Sequence, residues 1–476
     1  MRVRHASGGI RDGGTLVFEV RKGPLWIPWE AHHSGYDEGR EFTDTQARGP
    51  FAFWQHTHRC LPDSQGRPEM CLLEDDVRYR LPMSRVGQSL GGRFITSMLT
   101  RMFAVRHERT RNDLARHSTF TDRPRQRIIV SGASGFLGSS LVPFLTTGGH
   151  RVELLRRPNS SNGSLGSLRL HSSAWDPSRG QLEGSAIDEA DAFIHLGGRG
   201  IADSRWTPRI KDELVRSRVE STALLCRTLA SLKRRPRVLL CASAVGIYGD
   251  RHDEAMNETS TRGEGFLADL CARWEDATRP AVDAGIRVVN LRIGVVLGPG
   301  GGVLAKLLMP FKLGLGGRIG DGRQFMPWIG LDDAIGAIHH CLFSESLSGP
   351  VNIVAPHSAR NADFVAALGR VVKRPTVLPL PAGVVGALFG EMGRSVLLGG
   401  ARVVPDRLRS SGFEFLQSDL DGAIRHELGL PNQQALESAP GAAPSCVTPS
   451  NSTPLSSTQA DPSGAQNQTA SQSVSR

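Results

Sequence analysis

The residues with the clearest chemical meaning form a glycine-rich turn before the middle of the chain. The run Gly132-Ala-Ser-Gly-Phe-Leu-Gly138 follows the apolar segment Ile128–Ser131 and precedes a helical pattern that extends to Leu145. Glycines at this spacing permit a tight turn and close approach of backbone N–H groups to a pyrophosphate, and the helix N-terminus adds partial positive charge. A plain strand-to-helix turn is the alternative. Further βα units follow this turn, so the sequence predicts a dinucleotide site.

The end of the second predicted strand indicates which dinucleotide binds. A site for NAD places an acidic residue here to bind the ribose hydroxyls. This chain instead has Arg156 and Arg157, and guanidinium groups can pair with a 2′-phosphate. We therefore predict NADP (as NADPH) in preference to NAD. The alternative is that both arginines are simply solvated.

The elements that position the turn belong to an α/β domain. Between Gln126 and Leu430, short β-branched runs alternate with helix-sized segments such as Ile210–Leu232. This alternation is typical of a doubly wound parallel sheet of the Rossmann type. We assign residues 126–370 to this domain and residues 371–430 to a small C-terminal domain.

The two ends of the chain differ from this central region. Residues 1–120 contain extended, aromatic-bearing stretches followed by one long helical stretch, roughly Gln88–Ala115, which predicts an α+β domain. From about Ala435 the chain is rich in Ser, Thr, Gln, Asn and Pro, with almost no large apolar residues. Such a segment cannot bury enough surface to offset its ordering entropy, so residues 431–476 are predicted to be disordered.

Composition excludes several protein classes. The 476 residues are 39% apolar and contain no run of 18 apolar residues, which argues against a membrane span. Seven scattered cysteines without paired spacing are typical of reduced thiols in a cytoplasmic protein. The net charge of +10 is spread over the folded regions, and its densest run, Lys233–Arg237, directly precedes a predicted strand. Nucleic acid is therefore not the expected partner, whereas a small-molecule substrate or an apolar ligand is.

Several further motifs occur in a fixed order along the central region. They are HLGG at 195–198, SRWTPRIKDELVRSRVEST at 204–222, ASAVGIYGD at 242–250, LRIGVVLGPGGGVLAKLLMPF at 291–311, GLGGRIGDGRQFMPWIGLDDAIGAI at 314–338, GPVNIVAP at 349–356, RPTVLPLPAG at 374–383 and RVVPDRLRSSGFEF at 402–415. With the glycine turn, they resemble the extended and atypical short-chain dehydrogenases/reductases. Within that superfamily they resemble the "epimerase family" proteins that carry a small C-terminal domain of unknown function.

This resemblance implies the residues that contact the cofactor. They are Gly132, Ser134, Gly135, Phe136, Leu137, Gly138, Arg156, Arg157, Ala174, Trp175, Leu196, Gly197, Gly198 and Val295. The family usually has a Glu after the fourth-strand motif, and this chain has Arg199 instead.

The catalytic residues of such enzymes are less evident. Short-chain dehydrogenases use a Tyr whose proton transfer is assisted by a Lys four residues later and by a Ser that binds the substrate oxygen, because an unassisted phenol with a pKa near 10 is a poor acid–base group. The resemblance puts Phe266 at the Tyr place and Leu270 at the Lys place. Ser243 and Tyr248 are the remaining hydroxyl candidates, and Tyr248 is the more typical of a structural residue. His252, Asp269 and Glu275 are expected at the surface.

Substrate contacts are expected from the loops that follow the later strands. Arg292, Gln324 and Trp328, together with Arg323 and Asp332, are the candidates for a pocket beyond the carboxyl ends of the sheet. Loop packing is the alternative reading. The expected function is that of an NADP-dependent epimerase or reductase without the standard Tyr–Lys relay. The alternative is a non-catalytic regulator that senses NADPH or carries an apolar ligand.

The N-terminal region resembles a second family. DEGREFTDTQARGPFAFWQHTH at 37–58, DDVRYRLP at 75–82 and FAVRHERTRNDL at 103–114 are similar to the helix-grip domains of the START and polyketide-cyclase superfamily, which enclose an apolar cavity. Only a short leader precedes Thr15, so the module is expected to be truncated at its N-terminus. His56, His58 and His107 have no evident carboxylate partner in the sequence. We therefore expect them to be packing residues and predict no metal site.

Overall fold

The computed structural model describes residues 2–22, 25–63, 70–82, 84–157, 170–430 and 466–474. These residues form two compact units. The first contains the chain up to Ser118 together with a strand near the C-terminus, and the second contains Thr119–Leu428 without the undescribed segment. None of the helices in the described part of the chain has the length and apolar character needed to span a bilayer.

An antiparallel sheet and one long helix build the first unit. The strands follow one another in chain order across the sheet, and a strand from the end of the chain adds to the last of them. The strands are β1 (Arg2–Ser7), β2 (Thr15–Lys22), β3 (Leu25–Asp37), β4 (Glu41–Arg48), β5 (Phe53–Pro62), β6 (Cys71–Arg80) and the terminal strand (Gln466–Val474).

The helix α1 (Ser84–Ser118) follows β6 and extends about one turn beyond the predicted helix at each end. Its last turn carries Arg116 and His117, where basic groups interact favourably with the helix dipole. Trp54 of β5 and Tyr79 of β6 are direct cross-strand partners, and both are buried in one apolar cluster with Phe103 of α1. The alternation of side chains along a strand thus places one face of the sheet in this core.

The terminal strand differs from the sequence prediction. Disorder is predicted for residues 431–476, yet Gln466–Val474 pairs antiparallel with β6 from Cys71 to Tyr79. A sheet edge offers unpaired backbone N–H and C=O groups to any extended segment, which a composition argument cannot foresee. The rest of the predicted disordered tail, residues 431–465 and 475–476, lies outside the described residues.

The second unit contains the Rossmann-type sheet that the sequence predicts. Eight strands are ordered β10-β9-β8-β7-β11-β12-β14-β18, and every pair is parallel except β9 with β10. They are β7 (Arg127–Ser131), β8 (Arg151–Arg156), β9 (Ser172–Asp176), β10 (Gln181–Leu182), β11 (Ala192–His195), β12 (Val238–Ala244), β14 (Arg287–Ile293) and β18 (Gly349–Ile353). From β7 the next strands, β8 to β10, are added on one side, and the later strands from β11 onward are added on the other side. The order of strands therefore reverses between β7 and β11, and ligands of such sheets bind at this switch point.

Helices and short strands complete the unit. The helices are α2 (Gly138–Thr147), α3 (Pro208–Val215), α4 (Ser221–Ser231), α5 (Phe266–Asp276), α6 (Arg279–Asp283), α7 (Gly302–Lys312), α8 (Leu331–Phe343), α9 (Asn361–Val372), α10 (Ala382–Gly393), α11 (Asp406–Ser410) and α12 (Leu420–Glu427). The short strands are β13 (Ala255–Met256), β15 (Val295–Leu297), β16 (Phe325–Met326), β17 (Trp328–Gly330), β19 (Ala359–Arg360) and β20 (Arg402–Val403).

The last helices are tied to α8 by carboxylates. Glu427 of α12 accepts a hydrogen bond from the backbone N–H of Leu331 at 2.8 Å, at the N-terminus of α8. Asp333 in the first turn of α8 accepts the backbone N–H groups of Leu416 and Gln417, both at 2.9 Å. Helix N-termini leave backbone donors without helical partners, and Glu427 supplies one missing acceptor at the start of α8. Asp333 instead binds the loop that precedes α12, so the two carboxylates together fix the C-terminal segment to α8.

Candidate functional site

The glycine turn has the conformation that a pyrophosphate site requires. Gly132 has φ of +76°, and a Cβ at this position would lie 2.6 Å from the carbonyl carbon of Leu196. A Cβ at Gly138 would lie 2.4 Å from the carbonyl oxygen of Gly132. Side chains are therefore excluded at both ends of the turn. The helix α2 that follows has no acidic residue in its first turn and no side-chain cap, so its N-terminus is electrostatically suited to an anion.

The uncharged His195 contacts the residue that precedes the glycine turn. Ser131 and His195 are paired residues at the carboxyl ends of β7 and β11, and the Ser131 hydroxyl lies 2.5 Å from Nδ1 of His195. Burial lowers the pKa of His195 to about 4, so its imidazole is uncharged at neutral pH. A Cβ at Gly197 would lie 3.1 Å from the His195 ring, so the next loop needs glycine at this position as well.

The side chain of Phe136 joins the turn to a second glycine-rich loop. A Cβ at Gly298 or at Gly301 would each approach the Phe136 ring to 2.7 Å. These glycines lie between β15, which contains the predicted contact Val295, and α7. This packing was not predicted from the sequence, although the glycines of the run Gly298-Pro-Gly-Gly-Gly302 indicate a close approach of another group to the backbone. It brings the 295–302 segment next to the cofactor turn.

The other predicted cofactor residues lie at or near the same edge of the sheet. Arg156 is the last residue of β8, and Arg157 follows it on the surface. Ala174 and Trp175 lie within β9 rather than after it, and Trp175 packs edge-on against His195 with 5.7 Å between ring centroids. Leu196, Gly197 and Gly198 follow β11 directly, as the sequence analysis expects.

The place at which the resemblance expects a catalytic Tyr is apolar. Phe266 begins α5, and its ring packs edge-on against Trp206 with 5.0 Å between centroids. The ammonium group of Lys211 lies 4.9 Å from the centre of the Phe266 ring and pairs with Glu391 at 2.7 Å. Leu270, at the Lys place, is buried. Neither side chain can donate a proton.

The two hydroxyl candidates belong to one buried set of hydrogen bonds. We call it the Arg292 network, and its members are Ser243, Tyr248, Glu275, Arg292 and Asn352. The Ser243 hydroxyl donates to Glu275 at 2.7 Å, and Arg292 donates to both oxygens of the same carboxylate at 2.8 and 2.9 Å. Glu275 is therefore not the surface residue that the sequence predicts, because Arg292 of β14 binds it.

Tyr248 has no capacity left for a substrate in this arrangement. Its hydroxyl accepts a hydrogen bond from Arg292 at 2.9 Å and donates to the side-chain oxygen of Asn352 at 2.7 Å. The residue is 0% exposed. Burial raises the pKa of Tyr248, although the adjacent Arg292 opposes the shift. A buried phenol with both functions occupied is typical of a structural role.

The charge of Arg292 is stabilised within the network. Burial alone would lower the pKa of Arg292, but the bidentate Glu275 carboxylate outweighs it, and the pKa lies above its ordinary value. Glu258 borders the network, because its carboxylate accepts the backbone N–H of Asn352 at 3.0 Å. Burial raises the pKa of Glu258, and its second oxygen has no hydrogen-bond partner among the described residues.

Of the remaining substrate candidates, Gln324 has hydrogen-bond partners within the protein, whereas the buried indole N–H of Trp328 has none among the described residues. The Gln324 amide donates to the carbonyl oxygens of Ile319 and Leu397 at 3.1 and 2.7 Å. Trp328 is buried in β17, which pairs with β15. These contacts favour the loop-packing alternative. His252 and Asp269 do lie at the surface, with 91% and 58% of their side chains exposed.

The N-terminal histidines have carboxylate partners that the sequence analysis did not identify. Asp44 on β4 and Asp75 on β6 are the cross-strand neighbours of His56 and His58, so tertiary pairing rather than sequence spacing brings them together. Burial opposes the charged forms, yet hydrogen bonds between these groups hold the pKa of both aspartates well below the usual range. Hydrogen bonds to the two carboxylates likewise outweigh burial and raise the pKa of His56. His56 and His58 therefore have the carboxylate neighbours that the sequence does not reveal, and these residues are not simple packing residues.

Comparison with known protein families matches two parts of the chain. The NAD dependent epimerase/dehydratase family matches residues 128–353, and a domain of unknown function, DUF1731, matches residues 380–427. An epimerase family protein of Mycobacterium bovis is 40% identical over 304 residues, which are 64% of this chain and 98% of the relative.

Two solved structures extend the comparison. The human epimerase family protein SDR39U1, crystallised with NADPH, is 34% identical with a TM-score of 0.57, and the match covers 63% of this chain and 98% of the human one. A nucleoside-diphosphate sugar epimerase from Corynebacterium glutamicum is 32% identical with a TM-score of 0.71. That match covers 90% of this chain and 82% of the other, so it includes residues outside the epimerase region.

Proposed function

This chain belongs to the NAD dependent epimerase/dehydratase family, and on that premise we propose that it binds NADPH and catalyses reduction or epimerisation of a small molecule. The observation that carries the proposal is the glycine turn, with a left-handed Gly132 and side chains excluded at Gly132 and Gly138. Arg156 and Arg157, at the end of β8, add a site for a phosphate.

The residues of this chain fit the cofactor in two ways. The Gly135 N–H closes the turn on the Gly132 carbonyl at 3.0 Å, so the backbone N–H groups of Ser134, Phe136 and Leu137 and the uncapped α2 N-terminus would hold the pyrophosphate. Arg156 and Arg157 would bind the 2′-phosphate, since guanidinium and phosphate form charge-assisted hydrogen bonds. When bound, NADPH supplies a hydride. The loop after β11 would then bind the rest of the cofactor through Leu196–Gly198, together with Val295 at the start of β15.

A binding experiment tests the glycine turn. Gly132→Ala in the full chain should weaken NADPH binding at least about tenfold, because its Cβ would displace the Leu196 backbone. Gly180→Ala is the matched control, since Gly180 also has positive φ but open space around its Cβ position. Fluorescence titration of NADPH measures both. Equal affinities of the two variants would contradict the proposed site.

The choice between NADPH and NADH depends on the two arginines. That the human relative was crystallised with NADPH supports NADPH here. The double variant Arg156→Ala/Arg157→Ala should lose affinity for NADPH by about tenfold or more and keep its affinity for NADH. Tighter binding of NADH than of NADPH by the unchanged protein would overturn this part of the proposal.

The proton chemistry of the proposed reaction does not use Tyr248. Its hydroxyl is occupied by Arg292 and Asn352, and Phe266 stands at the expected Tyr place. NADPH consumption should be measured across a panel of carbonyl compounds and nucleotide sugars. For any substrate found, we expect Tyr248→Phe to retain turnover. Loss of turnover with NADPH affinity and folding unchanged would assign Tyr248 to catalysis.

The apolar side chains of Phe266 and Leu270, at the places expected for the Tyr and the Lys, favour a second candidate function. A chain of this family that holds NADPH but lacks a proton donor would act as a sensor of the NADPH to NADP⁺ ratio. The same substrate panel separates the two candidates. Binding of NADPH without turnover of any compound, together with a difference in protease sensitivity between the NADPH and NADP⁺ forms, would favour the sensor.

For the first unit we propose a helix-grip domain of the START and polyketide-cyclase type that binds an apolar ligand. The order of its elements, antiparallel strands followed by one long helix, supports this. A fluorescent fatty-acid analogue should bind the full chain, and Leu99→Trp should abolish the binding because Leu99 is buried against the sheet. Met102→Trp is the control, since Met102 is exposed on the same helix. Equal binding by both variants would contradict the proposal.

A further inference from the structure

Three neighbouring strands and the helix of the first unit bring five titratable side chains together. Asp44 of β4 faces His56 of β5, and Asp75 of β6 faces His58 of β5. His56 and His58 are two residues apart and therefore lie on one face of the sheet. His107 of α1 reaches the same place. We call these five residues the histidine–aspartate cluster.

Three ligand atoms in the cluster have the separation of metal ligands. Oδ2 of Asp44 lies 3.3 Å from Nδ1 of His56 and 3.2 Å from Nε2 of His58. The edge of a tetrahedron with metal–ligand bonds of about 2.0 Å is roughly 3.3 Å. All three atoms lie within 4.8 Å of one another. An ion placed among them would meet two imidazole nitrogens and one carboxylate oxygen.

The opposite ring nitrogens contact a second carboxylate. Nε2 of His56 and Nδ1 of His58 lie 2.8 and 2.9 Å from the same oxygen of Asp75. The other oxygen of Asp75 lies 2.6 Å from Nε2 of His107. Histidines that bind metals commonly donate their second N–H group to a carboxylate, which fixes the tautomer and the ring orientation. Asp75 is fully buried, and one of its oxygens contacts both the His56 and the His58 ring, so it orients both imidazoles.

We propose that Asp44, His56 and His58 bind one divalent transition-metal ion, zinc or a similar first-row ion, and that Asp75 positions the two histidines. Imidazole and carboxylate without thiolate is a donor set that suits Zn²⁺, Fe²⁺ and Co²⁺. Three protein ligands leave a coordination position for water or for a small ligand. This site is separate from the glycine turn and does not depend on the proposed NADPH chemistry.

The alternative is a metal-free cluster held by hydrogen bonds and charge. Arg106 favours it, because its guanidinium lies 3.4 Å from Asp75 and 3.2 Å from Nδ1 of His58. However, Oδ2 of Asp44 lies 3.3 and 3.2 Å from the nitrogens of His56 and His58, which is longer than the 2.8 and 2.9 Å contacts of the same two rings with Asp75. A single divalent ion among these three atoms would bind both imidazoles and Asp44 at the separation of metal ligands. It also balances the charges of Asp44 and Asp75.

Metal binding by the full chain tests the proposal. The purified protein is stripped with a chelator and titrated with Zn²⁺ against a chromophoric competitor. We expect one tightly bound equivalent, with Co²⁺ in the same site giving visible absorption unlike that of the hydrated ion. Asp44→Asn and His58→Ala should reduce Zn²⁺ affinity about a hundredfold or more. Asp75→Asn should reduce it by about 10–100-fold, as expected for a residue that only orients ligands.

The matched control is His32→Ala, because His32 is exposed on the same sheet and pairs with Glu30. It should leave the Zn²⁺ affinity unchanged. Equal losses in His32→Ala and His58→Ala, or no tight equivalent in the unchanged protein, would overturn the proposal. If the cluster variants fail to fold, as judged by circular dichroism, the Co²⁺ spectrum of the unchanged protein tests whether the cluster binds a metal. A spectrum of the hydrated ion alone would also overturn the proposal.

Discussion

The Arg292 network and the histidine–aspartate cluster are both buried sets of charged groups, but they differ in how their bonding capacity is used. Arg292 and Glu275 form an ion pair with two hydrogen bonds. Arg292 also donates to the Tyr248 hydroxyl, which in turn donates to the side-chain oxygen of Asn352. In the cluster, three ligand atoms converge on one point, while the opposite ring nitrogens are oriented by Asp75. The first arrangement is complete in itself, and the second is suited to an additional ion.

This difference shows how buried titratable groups can be separated into structural and functional sets. A closed ion pair with every hydrogen-bonding function used adds rigidity and offers nothing to a ligand. A set whose nitrogen and oxygen atoms converge at the separation of metal ligands, with a second carboxylate that orients the rings, has the arrangement of a metal site. The family resemblance directs attention to Tyr248 and Ser243, but their partners place them in the first class.

The largest effect is expected from removing the cation of the closed network. Arg292→Ala leaves the Glu275 carboxylate buried without its partner and should reduce the free energy of unfolding by about 3–5 kcal/mol. Urea denaturation followed by circular dichroism measures it. Arg209→Ala is the control, because Arg209 is 87% exposed and its loss of the ion pair with Glu213 should cost less than about 1 kcal/mol.

The same variant also tests the comparison between the two regions. Arg292→Ala should leave the Zn²⁺ affinity of the folded protein unchanged, since Arg292 belongs to the other compact unit. A parallel loss of metal binding at protein concentrations where the chain remains folded would show that the two clusters are coupled. That result would show that the Arg292 network and the histidine–aspartate cluster are not independent of each other.

A smaller effect is expected from deleting one hydroxyl. Tyr248→Phe removes the donor to Asn352 and the acceptor for Arg292, which leaves buried polar groups unpaired. The expected loss in free energy of unfolding is about 1–3 kcal/mol, measured by the same denaturation. Tyr36→Phe on the partly exposed surface of the first unit should change stability by a few tenths of a kcal/mol at most. Equal losses would contradict the closed-network interpretation.

The smallest effect concerns the carboxyl group at the border of the network. Because the pKa of Glu258 is raised in the folded state, its stabilising contribution is fully present below its unfolded pKa and is lost as pH rises through the folded pKa. Glu258→Gln keeps an acceptor for the Asn352 N–H group and carries no charge. We expect it to match the unchanged protein near pH 4 and to be more stable by up to about 1 kcal/mol at pH 8. A stability difference that does not vary with pH would contradict this assignment.

The sequence predicts the second unit better than the first. Buried runs such as Ile128–Ser131 and the glycine turn after them are local signals, because strand propensity and turn geometry depend on neighbouring residues. The doubly wound sheet follows from such signals, and the family resemblance adds the position of Phe266 at the start of α5. The expectation that Glu275 lies at the surface failed, since Glu275 is on α5 and its partner Arg292 is on β14. The prediction of disorder failed at Gln466–Val474 for a similar reason, because this strand pairs with β6, which is far away in the sequence.

By itself, the sequence determined the α/β class and the glycine turn at 132–138, and the family resemblance identified Phe266 and Leu270 in place of a Tyr–Lys pair. Each depends on which residue types stand next to one another. Only the tertiary structure decided which charges meet. Asp44, His56, His58 and Asp75 come from three strands, and their convergence depends on cross-strand register. A shift of one residue in that register would turn every side chain of a strand to the other face and disperse the cluster.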